Sequence, residues 1–187
     1  MTKLSSGYLA LEIRFIELDS ENWVQYEIRF LYQDEPMIQD SQLKRVNEHW
    51  QKRSPGAFKA NQYGQDGFIP TIREALDSDQ PQSFTPIDPD ITLAIYPKRL
   101  FPFIASGWEL VYQSDEAEQE QADQALIREV AGGRLPSDPF TIIFKVDVYN
   151  YGTTMVYHGE GPALILVVQR YQLREFLYEL EAEYDAF

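Results

Sequence analysis

Apolar and polar residues alternate most regularly between Phe140 and Tyr149. Phe140, Ile142, Phe144, Val146 and Val148 fall on one face of an extended chain, and Thr141, Ile143, Lys145, Asp147 and Tyr149 on the other. A period of two with one apolar side predicts a strand with one buried face. Ala163 to Val168 is instead a continuous apolar run. Its length and β-branched content predict a central strand, without telling which face is buried. Leu173, Phe176, Leu177, Leu180 and Tyr184 then recur at i, i+3, i+4, i+7 and i+11. That is one stripe of a helix with its apolar side on the sheet, and Glu175, Glu179, Glu181 and Glu183 occupy the rest of its circumference.

The first half carries weaker versions of the same patterns. Leu9, Leu11, Ile13 and Phe15 alternate with Tyr8, Ala10, Glu12 and Arg14 within a strand predicted over 7–18. Val24, Tyr26, Ile28, Phe30 and Tyr32 alternate with Gln25, Glu27 and Arg29. The short polar connection at 19–22 makes these two an antiparallel hairpin, with Glu12, Arg14, Glu27 and Arg29 able to pair across its outer face. Leu43, Val46 and Trp50 predict a short helix over 40–52, capped by Asp40 or Ser41. The Gly-, Pro-, Asn- and Gln-rich stretch from Arg53 to Gly67 reads as a long loop. A helix follows over 68–76, with Pro70 in its first turn. Residues 77–89 read as turns, 91–96 and 108–112 as short strands. Residues 114–139 read as a charged surface insertion whose Leu126, Ile127 and Val130 form only a thin apolar face.

These elements predict one α+β domain over 1–187. Its largely antiparallel sheet has about six strands, two helices in the first half and a C-terminal helix packed on it. A two-sheet sandwich with peripheral helices is the alternative. At 187 residues the chain is long enough to bury a core without staples.

Composition narrows the chemistry. With no cysteine, disulfides, thiolate metal sites and cysteine nucleophiles are excluded. No apolar run reaches the ~20 residues of a membrane span, and the N-terminus lacks a signal-peptide pattern, so the cytoplasm is the expected location. Thirty acidic and 16 basic side chains give a formal net charge of −14. Such a surface repels nucleic-acid phosphates and attracts a basic partner. The densest acidic stretch supplies the candidate partner-binding residues Asp115, Glu116, Glu118, Glu120 and Asp123. The common solvated charged face is the plainer reading of the same run.

Phosphate-loop, dinucleotide, zincin, nucleophile-elbow and EF-hand motifs are all missing. The two histidines, His49 and His158, are too few for a histidine-rich metal site. His49 is expected to face solvent. His158 lies in Tyr157-His158-Gly159-Glu160-Gly161, where an imidazole and a carboxylate near Tyr149, Tyr151 and Tyr157 could line a small pocket. A polar connection with aromatics over a sheet edge explains the same residues. No catalytic residue, metal or cofactor is predicted.

Three stretches carry a family resemblance: Asn22-Trp23-Val24-Gln25-Tyr26-Glu27-Ile28, the turn from Phe84 into Pro89-Asp90-Ile91-Thr92-Leu93, and the strand-plus-helix from Leu164 to Leu180. Together, over about half the chain, they resemble the immunity proteins of WapI-type polymorphic toxins, a family of small bacterial proteins. This chain departs from that pattern by being longer at 52–67 and 114–139. The resemblance implies a non-catalytic protein-binding domain that inhibits a toxin domain stoichiometrically, and it carries over no individual residue. A small-ligand or enzymatic domain built on the 149–160 connection, and a self-associating structural domain, are the other two readings.

Overall fold

The computed structural model describes residues 1–38, 45–46, 53–54, 57–60, 67–86, 91–98, 138–146 and 163–187. The fold is α+β and antiparallel, as the patterning predicts, but its strands are divided between two main sheets. In the first, β1 (Thr2–Ser6), β2 (Leu9–Leu18), β3 (Val24–Tyr32) and β4 (Glu35–Pro36) lie in that order. A further strand, β7 (Ala57–Phe58), also pairs with β3. In the second, β11 (Ala163–Gln169), β10 (Pro139–Val146), β9 (Ile91–Pro97) and β8 (Gln82–Phe84) lie in that order. A separate two-residue pair joins β5 (Arg45–Val46) to β6 (Arg53–Ser54). The helices are α1 (Phe68–Ser78) and α2 (Arg170–Asp185).

The alternations predict most of the buried positions; Tyr32 is instead exposed at the end of its strand, and Thr141 is buried on the face expected to be wetter. Leu11, Ile13, Phe15, Val24, Tyr26, Ile28 and Phe30 are buried on the first sheet, and Phe140, Ile142, Phe144 and Val146 on the second. The predicted hairpin is present, with Glu12 opposite Arg29 and Arg14 opposite Glu27. Arg14 donates to Glu27 at 2.6 Å across its outer face. Leu173, Phe176, Leu177 and Leu180 of α2 are buried, and the side of α1 carrying Phe68, Ile69, Ile72, Ala75 and Leu76 joins the same core.

Several expectations are corrected. The strand predicted over 7–18 is present from Leu9, but it starts after a turn at Gly7, whose φ is 59°, and the unpredicted chain before that turn pairs back as β1. A helix over 40–52 does not form at Arg45–Val46, which pairs with Arg53–Ser54; the rest of that range lies outside the described residues. The loop predicted over 53–67 contains β7, and Phe58 within it is fully buried. Its ring lies 4.6 Å from Tyr26, 4.9 Å from Phe68, 5.4 Å from Phe84 and 6.2 Å from Phe15. One aromatic side chain thus joins the first sheet, α1 and β8 of the second. The turn-rich stretch at 77–89 includes β8.

The apolar run at 163–169 is the end strand of its sheet's ladder, not a central one. Its outer edge is nevertheless bridged at Val167. The Ser6 hydroxyl donates to the Val167 carbonyl at 2.7 Å and accepts from the Val167 amide at 3.3 Å. The two sheets therefore meet at β1 and β11 through a side chain that satisfies one residue's backbone groups. Helix α2 lies over this seam, where Gln172 donates to the Ser5 carbonyl at 3.3 Å and Thr2 donates to Glu183 at 3.2 Å.

Candidate functional site

The acidic run Asp115, Glu116, Glu118, Glu120 and Asp123 lies outside the described residues. So do Tyr149, Tyr151, Tyr157, His158 and Glu160, together with His49 and the strand predicted over 108–112. The described part of the molecule offers a different set of charged and exposed groups, most of them on or around α2. Among the described residues, no three histidine or carboxylate side chains are placed to hold a metal ion. No described helix is long and apolar enough to cross a membrane.

Helix α2 carries its charges against its own dipole. A helix favours anions at its N-terminus and cations at its C-terminus. Here Arg170 is the first residue, while Glu183 and Asp185 sit in the last turn, which holds no basic residue. At the N-terminus the mismatch is offset within the chain. The Arg170 guanidinium donates to both Asp138 and Asp79, bonds the Leu76 carbonyl near the end of α1, and lies 4.9 Å from the centre of the Phe140 ring. The Asp138 bond, with Asp79 behind it, raises the Arg170 pKa further above its ordinary value, against the opposing effect of burial. Asp79 is held below the usual carboxylate range, first by the Lys98 ammonium and then by Arg170. These groups join the end of α1, the turn after β9, the start of β10 and the start of α2. The Arg170 and Lys98 donors are met by carboxylate and carbonyl acceptors within the cluster, which marks a structural clamp.

Towards the C-terminus the offset is partial. Glu181 accepts from Arg73 of α1 at 2.5 Å, and Glu183 lies 3.4 Å from the Met1 amino group. Glu175, Glu179 and Asp185 have no cationic partner among the described residues. They lie on the outer face of α2 with Tyr171, Arg174, Tyr178 and Ala182, all exposed. Tyr171 and Tyr178 expose 62% and 60% of their surface, so their rings contribute little to the core. The helical periodicity had assigned this circumference to glutamates alone. The signal for the tyrosines was available, since both fall opposite the Leu/Phe stripe and seven residues apart.

A second exposed aromatic spot lies at the turn end of the first sheet. Tyr8 and Tyr32 meet edge to face at 6.2 Å, with Met37 also exposed. Gln33 and Asp34 both adopt positive φ there, the requirement of a two-residue type I′ turn. Lys3 bonds Asp34 at 2.7 Å, which raises the lysine pKa. The turn is thereby fastened to β1.

Compared with family models, curated proteins and solved structures, the chain matches none.

Proposed function

We propose that this protein is a non-catalytic protein-binding domain that captures a basic partner, as an immunity-type inhibitor captures a basic toxin domain. The observation that carries this reading is the excess of carboxylates, a formal net charge of −14. On the described surface five cations are consumed in pairs. Lys3, Arg14, Arg73, Lys98 and Arg170 each bond a carboxylate. Glu35, Glu74, Asp77, Glu175, Glu179 and Asp185 are left exposed without such a pair among the described residues. A field of this sign steers a basic protein towards the surface and speeds encounter in a salt-dependent way. The acids from Asp115 to Asp123 would add to that field.

The test is affinity capture from a lysate of the native host at low and high salt, with mass spectrometry of what binds. The reading predicts one dominant basic protein in 1:1 ratio, lost as salt rises. Recovery of no protein at either salt, or of a neutral one held equally at both, overturns it.

A further inference from the structure

Helix α2 is charged in the wrong sense at both ends, and the chain offsets most of this internally. Asp79 and Asp138 offset Arg170, Arg73 offsets Glu181, and the Met1 amino group offsets Glu183. The outer face keeps Glu175, Glu179 and Asp185 against a single cation, Arg174. Glu175 and Glu179 are also one turn apart, where like charges repel. The fold does not require these carboxylates, since the buried face of the helix is supplied by Leu173, Phe176, Leu177 and Leu180. A local rule broken without a structural return marks a place where sequence serves something other than stability.

The same face carries two tyrosines whose rings the core does not use. Tyr171 lies four residues before Glu175, and Tyr178 three residues after it, so one carboxylate neighbours both rings. The Cα positions of the two tyrosines are separated by about 10 Å along the helix axis, from a rise of about 1.5 Å per residue. A ring face beside a carboxylate suits a guanidinium, which stacks on the ring and forks to the acid; an ammonium does the second less well and the first weakly. Tyrosine is also a residue that anchors protein interfaces.

We propose that the outer face of α2 is a docking surface whose occupant is an arginine-bearing segment of a basic protein. This rests on the basic-partner reading above and gives it a location. Arginines seated between Tyr171, Glu175 and Tyr178 and near Glu179 relieve the repulsion between the two glutamates. Binding therefore stabilises α2 as well as the complex.

The experiment uses the full chain and a fluorescently labelled peptide of alternating arginine and glycine, with a matched lysine peptide, titrated by fluorescence anisotropy at low salt. The expected result is tighter binding of the arginine peptide than of the lysine peptide. Tyr171→Ala/Tyr178→Ala should raise the Kd for the arginine peptide at least fivefold and narrow its advantage over lysine. Glu175→Gln/Glu179→Gln should also weaken binding while leaving the melting temperature unchanged or higher, a combination that a purely structural role does not produce. If both peptides bind but both double variants bind as wild type does, the surface lies elsewhere; the docking proposal falls and the basic-partner reading stands. If neither peptide binds the wild-type chain at low salt, both fall.

Discussion

Replacing Arg170 by methionine removes the clamp at the start of α2 while keeping much of its aliphatic volume. Three kinds of contact go: the paired donation to Asp138, the bond to Asp79, and the bond to the Leu76 carbonyl. The stacking on Phe140 goes with them. Hydrogen bonds to charged groups contribute about 1.5–3 kcal/mol each when well buried. Here the Arg170 side chain is 21% exposed and its carboxylate partners 34% and 32%, so solvent competes for each. Asp79 also retains Lys98, whereas Asp138 loses its cation. The net cost should be about 2–4 kcal/mol, below the simple sum and close to the range for breaking a buried ion pair. Arg170→Lys keeps the charge but not the fork, and should cost about 1–2 kcal/mol. Urea unfolding followed by far-ultraviolet circular dichroism measures this as a fall in midpoint at constant slope. A methionine variant within about 0.5 kcal/mol of wild type would refute the clamp, because surface substitutions away from such features fall in that range.

The remaining predictions concern single contacts. Phe58→Ala should cost about 3–5 kcal/mol, the usual range for a fully buried phenylalanine, and calorimetry or urea unfolding checks it; a loss below about 1 kcal/mol would show that the ring cluster does not join the sheets. Ser6→Ala leaves the Val167 amide and carbonyl without their bridge and should cost about 1 kcal/mol, with faster hydrogen exchange at Val167 as the local readout. Because the folded-state pKa of Asp79 is depressed below its ordinary 3.8, its contribution is fully present above that value and is lost as pH falls through the lower folded-state pKa. An acid titration of stability should accordingly be flatter below about pH 4 in Asp79→Asn than in wild type. Asp185→Lys should stabilise the chain by about 0.3–1 kcal/mol by matching the helix dipole, and Glu179→Lys by about 0.2–0.5 kcal/mol by turning its repulsion with Glu175 into an attraction; thermal melts would show both, and a destabilised variant would contradict the charge mismatch described for α2.

Much of the fold was legible because period-two and period-3.6 patterns report directly on one-sided burial. Phe140 to Val146 and Leu173 to Leu180 were read correctly for that reason. Phe58 was hidden because it is a lone aromatic among Gly, Pro and polar residues, and its burial depends on rings distant in sequence. Strand β1 was hidden because Thr2, Lys3, Ser5 and Ser6 carry no apolar alternation; pairing with β2 makes them a strand. The run at 163–169 looked central because its apolar residues are continuous and β-branched, yet it ends its sheet's ladder, with a serine hydroxyl rather than a strand bonding its Val167 backbone. Arg170 could have been noticed, since a cation at the first position of a helix opposes the dipole and implies a nearby acid. The partners Asp79 and Asp138 could not, being 91 and 32 residues away. The acids at 115–123 and the residues at 149–160 were chosen on local composition, and that composition says nothing about which long-range neighbours they meet.

The central claim is that acidic charge on this protein directs it to a basic partner. Its most direct test is the association rate with the captured partner, measured by stopped flow as ionic strength rises from about 0.01 M to about 1 M, across which the screening length falls from about 30 to about 3 Å. The account predicts an association rate that falls at least tenfold while the dissociation rate changes much less, the signature of steering by long-range charge. An association rate unchanged across that range would contradict it.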